Sequence, residues 1–264
     1  GQVAVARLAK DLQPEMLAGR VILLPMANFP AAKAGLRTSP IDDGNLNRSF
    51  PGDPAGTVTQ IIAHYVESVL MKMADYAIDL HSGGSSLHYV PTVLYGDRED
   101  EQEMADVLRL TRAFAAPYAL HFRRSGDNVS TAAARRQGAI AVTVEMGGSG
   151  TVSPYALKIT REGIERVMAE FGILKETKLG APGETKVLRL TGGHQVGQRL
   201  VVALVDRVLG FPAEIAPYKV VVLPLDMRIV RECEYAGMRD ALRATLSEQG
   251  LQYKAGRAGA PLPS

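Results

Sequence analysis

The chain has 264 residues, of which 46% are hydrophobic and 22% charged, with a formal net charge of +2. That is enough chain for one large globular domain, or one plus a smaller one, and the charge asks for neither nucleic acid nor an anionic membrane. A single cysteine, Cys233, excludes an intrachain disulfide and a cysteine-rich zinc site, and no apolar run approaches the roughly 18 residues of a membrane span. With no signal peptide visible, a soluble protein of a reducing, cytoplasmic compartment is expected.

Residues 3–12 have helical periodicity and are followed by Pro14. Residues 20–25 (RVILLP) read as a short buried strand ended by proline. Residues 29–54 are rich in Gly, Pro, Asn and Asp and read as one long loop, a kind of segment that is usually functional or disordered. Residues 57–73 (TVTQIIAHYVESVLMKM) form an amphipathic helix, and residues 76–80 a strand closed by His81. A strand at 89–95, a helix at 100–115, a strand at 139–145 and a helix at 154–171 follow. Alternating strands and helices predict an α/β fold with a largely parallel sheet, whose ligands gather beyond the carboxyl ends of the strands. The stretch from 175 to 198 is rich in Gly and Thr and marks a boundary. Beyond it the pattern predicts a helix at 199–209, a strand at 218–223 and a helix at 234–249, with a disordered tail, GRAGAPLPS.

Two residues stand at predicted strand ends. In IDLHSGG (78–84) an apolar run ends in His81, and small residues then leave room around it. A loop histidine is the commoner meaning of such a stretch and a metal ligand the sharper one. In TVEMGG (143–148) Glu145 ends the other strand, where burial would raise its pKa and suit it as a general base. A carboxylate that caps a helix or pairs with an arginine is an equal alternative. In GNLNRSFPG (44–52) Arg48 offers a planar fork for a carboxylate and Asn47 a further donor, unless the loop merely ties itself down. Arg37 and Arg135 are further candidate anion binders, each taken singly a surface residue; the pairs Arg123-Arg124 and Arg135-Arg136 read as solvated faces. His64, inside the amphipathic helix, reads as structural, His88 could approach His81, and His121 and His194 carry no assignment. Asp42 and Asp43 are either solvated or near a cationic group of a ligand. The absence of GxGxxG after a strand, of a Walker loop and of a GxSxG elbow disfavours nucleotide and serine-hydrolase chemistry.

Together and in this order, GNLNRSFPG, IDLHSGG and TVEMGG resemble the succinylglutamate desuccinylase/aspartoacylase family, a branch of the zinc carboxypeptidase-like enzymes, over residues 1–194. The resemblance implies a zinc-carboxypeptidase-like α/β fold with a mixed, largely parallel sheet flanked by helices. The catalytic domain is then residues 1–175, lacking its N-terminal part, and 176–264 is a C-terminal segment of uncertain fold. It further implies Zn2+ as cofactor, His81 as a zinc ligand, Glu145 as general base, and Asn47, Arg48, Arg135 and Arg37 as substrate-binding residues. The family's other zinc ligands come from a His-x-x-Glu segment before a helix that the GQVAVARLAK start resembles, and are therefore expected upstream of Gly1. The implied reaction is hydrolysis of the amide bond of a small N-acyl amino acid, with no nucleic-acid or membrane partner and with self-association. The start and the loop aspartates point to the bacterial branch that includes N-acetyl-diaminobutyrate deacetylases, in which Asp42 or Asp43 would meet a substrate amine. The alternatives are a metallocarboxypeptidase-like peptidase and a degenerate, non-catalytic domain that binds small carboxylates. Residues 199–253 depart from the family's β-rich ending, and residues 211–226 faintly resemble the anticodon-binding domain of class II aminoacyl-tRNA synthetases.

Overall fold

The structure, a computed structural model, describes residues 1–85, 87–123 and 126–189. The expectations for His194, Cys233 and the elements after residue 190 lie outside the described residues.

Helix α1 (Gln2–Asp11) opens the chain, and α2 (Phe29–Ala34) and a 3-10 turn (Leu46–Arg48) interrupt what composition read as one loop. Helix α3 (Val58–Tyr65) continues without a break through a π-turn (Val66–Leu70) and a 3-10 turn (Met71–Met73). Then come β1 (Tyr76–His81), β2 (His88–Gly96), α4 (Glu101–Phe114), β3 (Tyr118–Phe122), α5 (Ser130–Arg136), β4 (Ile140–Gly148), α6 (Pro154–Glu170) and β5 (Lys186–Arg189). Helix ends follow local chemistry. The Asp100 side chain accepts from the Glu103 N–H at 2.7 Å to start α4, and Ser153 accepts from the Ala156 N–H, with Pro154 at the first helical position, to start α6.

The five strands lie in the order β1-β4-β2-β3-β5. Strand β1 runs parallel to β4, β3 runs parallel to both β2 and β5, and only the β2–β4 junction is antiparallel. The mixed, mostly parallel sheet flanked by helices that the sequence predicts is therefore present. The expected break after residue 175 precedes β5, so the sheet runs on to Arg189.

Alternation along the strands assigns the two faces. Val142, Val144 and Met146 of β4 face the main core, with Val107, Leu110 and Phe114 of α4. Each such fully buried side chain contributes on the order of 1.5–3 kcal/mol by leaving water. Helices α1 and α6 complete this layer through Leu8, Val167 and Met168. The opposite face carries a thinner layer, where Ala63 and Val66 meet Phe50 and Ala133 of α5, and Ala134 of α5 meets Ala139 and Ala141.

Residues 20–25 are not a strand of this sheet. Val21 and Leu23 pack on the main core while Ile22 and Leu24 stand exposed, which is the alternation of a strand. Among the described residues no neighbouring backbone pairs with it, and periodicity alone cannot supply a partner.

Candidate active site

Strand β1 lies in register with β4 so that His81 is opposite Glu145 and Asp79 opposite Thr143. Asp79 and His81 are two residues apart and share a face; Tyr76, Ile78 and Leu80 point the other way, onto the main core. The two motif residues thus meet at the carboxyl ends of two adjacent parallel strands, on the face covered by α3, α5 and the 44–52 loop.

His81 is held by its own strand. Its Nε2 lies 2.7 Å from Asp79 Oδ2, both side chains being about 30% exposed (30% and 28%). Burial works to lower the histidine pKa, but the hydrogen bond and charge of Asp79, with Glu145 adding to them, outweigh it and raise the value. Asp79 also accepts from the Ser130 hydroxyl. The Ser130 N–H donates to Asn47 Oδ1 at 2.7 Å, and Asn47 Nδ2 comes within 3.3 Å of His81 Nε2. Asn47 is therefore brought to His81.

Glu145 is buried enough that desolvation raises its pKa, Asp79 pushes the same way, and His81 and Arg37 pull it down without reversing the shift. Its Oε2 is closed to water and has no hydrogen-bond partner among the described residues. A buried acceptor without a donor costs about 1–3 kcal/mol, so its place here requires an explanation.

The arginines divide. The charge of Arg37 reaches His81, Glu145 and the Tyr89 phenol, so this exposed side chain borders the site. Arg48 is exposed, donates to the Asn47 carbonyl oxygen, and makes no ion pair among the described residues. Arg135 is not brought to the site. Its Nε lies 3.8 Å from Glu103 Oε1, and it lines a cavity with Asp100, Gly138, Ala139 and Ile140. That is the opposite end of β4 from Glu145, and five strand residues span roughly 16 Å. The spacing before the glutamate fits, but the α5–β4 turn carries the side chain the wrong way.

Asp42 is engaged within the protein. It accepts from the Thr59 N–H at 2.7 Å and the Thr59 hydroxyl at 2.8 Å, and bonds of this kind, first the Thr59 N–H and then the Thr57 hydroxyl, hold its pKa well below the usual carboxylate range. His88 is exposed at the start of β2, opposite Gly148.

The motif glycines have a structural reason. Gly148 has φ +135°, and a Cβ there would collide with the Leu87 carbonyl oxygen; a Cβ on Gly83 would collide with the same atom. Gly83 N–H donates to the Gly147 carbonyl at 3.1 Å and Ser149 N–H to Leu87 O at 2.8 Å. The loops after His81 and Glu145 therefore lie backbone against backbone, and Gly83 and Gly148 are needed for that approach.

Three participants are absent from the sequence reading. Asp79 was available from the two-residue spacing to His81, although the apolar look of the run conceals it. Ser130 had no motif. Tyr89 opposes Gly147 across the β2–β4 junction, and burial, with Glu145 adding to it, raises its pKa.

Among the described residues no three His, Cys, Asp or Glu side chains form a metal-binding group. The chemistry of the donors nonetheless fits partial ligation. The Nε2 of His81 is taken by Asp79, which would leave Nδ1 for a metal, and a carboxylate orienting a histidine in this way is the usual outer support of a metal ligand.

A family model of the succinylglutamate desuccinylase/aspartoacylase catalytic domain matches residues 1–171. The chain belongs to the succinylglutamate desuccinylase/aspartoacylase family. Within that family it is 43% identical over 188 residues to the N-alpha-acetyl-L-2,4-diaminobutyric acid deacetylase of Halomonas elongata, covering 71% of this chain and 55% of that protein. The product-bound structure of the ectoine utilization protein EutE (DoeB) from Ruegeria pomeroyi is 40% identical, with a TM-score of 0.69, over 73% of this chain and 58% of that one. The crystal structure of a succinylglutamate desuccinylase/aspartoacylase from Rhodobacter sphaeroides is 34% identical, with a TM-score of 0.66, over 73% and 58% of the two chains. The chain thus spans a little over half the length of these succinylglutamate desuccinylase/aspartoacylase relatives. No helix among the described residues is long and apolar enough to cross a membrane.

Proposed function

We propose that the protein is a zinc-dependent amidohydrolase that removes the acyl group from an N-acyl amino acid, working in the cytoplasm. The observation that carries this reading is the pairing of His81 with Glu145, whose buried Oε2 lacks a hydrogen-bond partner among the described residues. An acceptor so placed is suited to take a proton from a bound molecule. The relative from Halomonas elongata supports a deacetylase, and a 2,4-diaminobutyrate-like amine on the product side.

His81 would hold the metal in part through Nδ1, with further ligands supplied from outside the described residues, because catalytic zinc usually takes three protein ligands. When bound, zinc supplies a Lewis acid for the amide carbonyl and a lowered pKa for water. Glu145 takes the proton of the attacking water on Oε2 and delivers it to the departing amine nitrogen, for which its raised pKa suits it. Asn47 Nδ2 and the guanidinium groups of Arg48 and Arg37 hold the substrate carboxylate, so that the scissile amide lies against Glu145. Arg135, beside Glu103 at the other end of β4, takes no part in holding the carboxylate in this reading.

The test is a substrate panel on the intact protein: N-acetyl-diaminobutyrate, N-acetyl-aspartate, N-succinyl-glutamate and short peptides, with zinc measured by mass spectrometry. About one zinc per chain and preferred cleavage of an N-acyl amino acid are expected. Cleavage of the peptides alone would make it a peptidase, and cleavage of none would leave a carboxylate-binding domain.

A further inference from the structure

We infer that Ser130 is a positioning residue that ties the histidine of the metal site to the amide that grips the substrate. The inference rests on the reading above, in which His81 is a zinc ligand and Asn47 meets the substrate carboxylate.

Ser130 is the first residue of α5, where a hydroxyl would ordinarily serve its own helix. It does not do so here. The N-cap of α5 is Val129, which offers no side-chain cap, while the Ser130 hydroxyl leaves the helix to donate to Asp79 Oδ2 on β1. The same carboxylate oxygen receives His81 Nε2 at 2.7 Å. The oxygen that accepts from the Ser130 hydroxyl serves as an acceptor for both neighbours in this arrangement. Nε2 therefore carries the ring hydrogen, and Nδ1 presents its lone pair. The hydroxyl fixes Asp79, and Asp79 fixes the tautomer and plane of the imidazole.

The backbone of the same residue acts on the second element. The Ser130 N–H donates to Asn47 Oδ1 at 2.7 Å, which decides the orientation of the amide. Asn47 Nδ2 is then turned towards the site, 3.3 Å from His81 Nε2. It cannot donate there, because Nε2 already bears a hydrogen, so its hydrogens are left for an oxygen of the ligand. One residue thus sets two groups from two different motifs, the hydroxyl acting on the metal ligand and the N–H on the substrate clamp.

The two arms separate by mutation. Ser130→Ala removes the hydroxyl arm and keeps the N–H. Ser130→Pro removes both, and the position tolerates proline: it is the first helical residue, and Val129 before it is extended at φ −107° and ψ 161°. Ser130→Thr restores the hydroxyl. Zinc affinity is measured on the intact protein by competition with a chromophoric chelator, and the His81 tautomer by 15N imidazole shifts of the metal-free protein. The inference expects Ser130→Ala to weaken zinc about tenfold and to mix the tautomers, with KM for the N-acyl amino acid nearly unchanged. Ser130→Thr should return zinc affinity to within about threefold of wild type, and Ser130→Pro should add a rise in KM of about tenfold. If wild type binds zinc and Ser130→Ala stays within about twofold of it, the inference is wrong and the hydrolase reading survives. If wild type binds no zinc and cleaves no N-acyl amino acid, both fall. Should Ser130→Pro fail to fold, the alanine and threonine variants alone decide the hydroxyl arm.

Discussion

Helix α5 is anchored at its far end by an ion pair whose loss can be worked out from the structure. Glu67, in the π-turn after α3, has a side chain only 6% exposed, and Arg136 meets it with both nitrogens of its fork, at 2.9 Å to Oε1 and 2.7 Å to Oε2. Arg136→Leu leaves that carboxylate in place, with no other hydrogen-bond donor to it among the described residues. Stranding one member of a buried pair costs about 3–5 kcal/mol. The Arg136 side chain is 37% exposed, so water reaches part of the gap, and a loss of about 2–3 kcal/mol is the better expectation. Urea unfolding followed by circular dichroism measures it as a lower midpoint at constant slope. The double variant Glu67→Met/Arg136→Leu removes both charges and should regain most of the loss, because the pair is replaced by apolar volume. A single variant within about 0.5 kcal/mol of wild type, or a double variant no better than the single, would refute the reasoning. Because α5 begins at Ser130, the zinc affinity of Arg136→Leu should fall along with its stability.

Other consequences are as readily checked. Glu145→Gln should lower kcat by about 100- to 10,000-fold without abolishing zinc binding, measured by steady-state kinetics and metal analysis on one preparation. With Glu145 as the proposed base, which would work ionised and whose pKa burial raises, the acid limb of the kcat/KM profile should lie above the ordinary carboxylate range, with activity lost as pH falls through it; a limb near 4 would contradict the buried placement. Arg37→Ala should raise KM about tenfold or more while Arg135→Ala leaves it within about twofold; equal effects would put Arg135 back in the site. Gly148→Ala should cost about 2 kcal/mol or more in unfolding experiments, from strain at φ +135° and collision with the Leu87 carbonyl.

Strand ends were the legible part of the site. His81 and Glu145 follow apolar runs, and parallel sheets gather their ligands at such ends, so their placement at strand ends was legible, while their joining in one site was implied only by the family resemblance. Asn47 was legible only as part of a motif; its contact with His81 depends on a loop held flat by Gly44 against Thr59 and by Gly52 against the turn at Gln60 and His64. Arg135 has the spacing expected before the glutamate, but distance along a chain does not say which end of a strand a preceding helix reaches, and its side chain lies beside Glu103. Helix α5 and strand β3 are short, seven and five residues, and too brief to show a period. Arg136 looked like half of a solvated charged pair because its partner Glu67 lies in a distant segment.

The parallel pairing of β1 with β4 has a consequence for how the site comes into being. Parallel neighbours cannot be joined by a tight turn, and here the whole of β2, α4, β3 and α5 is threaded between them. His81 and Glu145 therefore meet only after a long loop has closed and its entropy has been spent, a step of high contact order that comes late in folding. No hairpin-sized intermediate can contain this site. Collapsed chains that hold every motif would have the ingredients and none of the chemistry, and the appearance of activity during refolding would report the docking of β4 rather than the formation of helices.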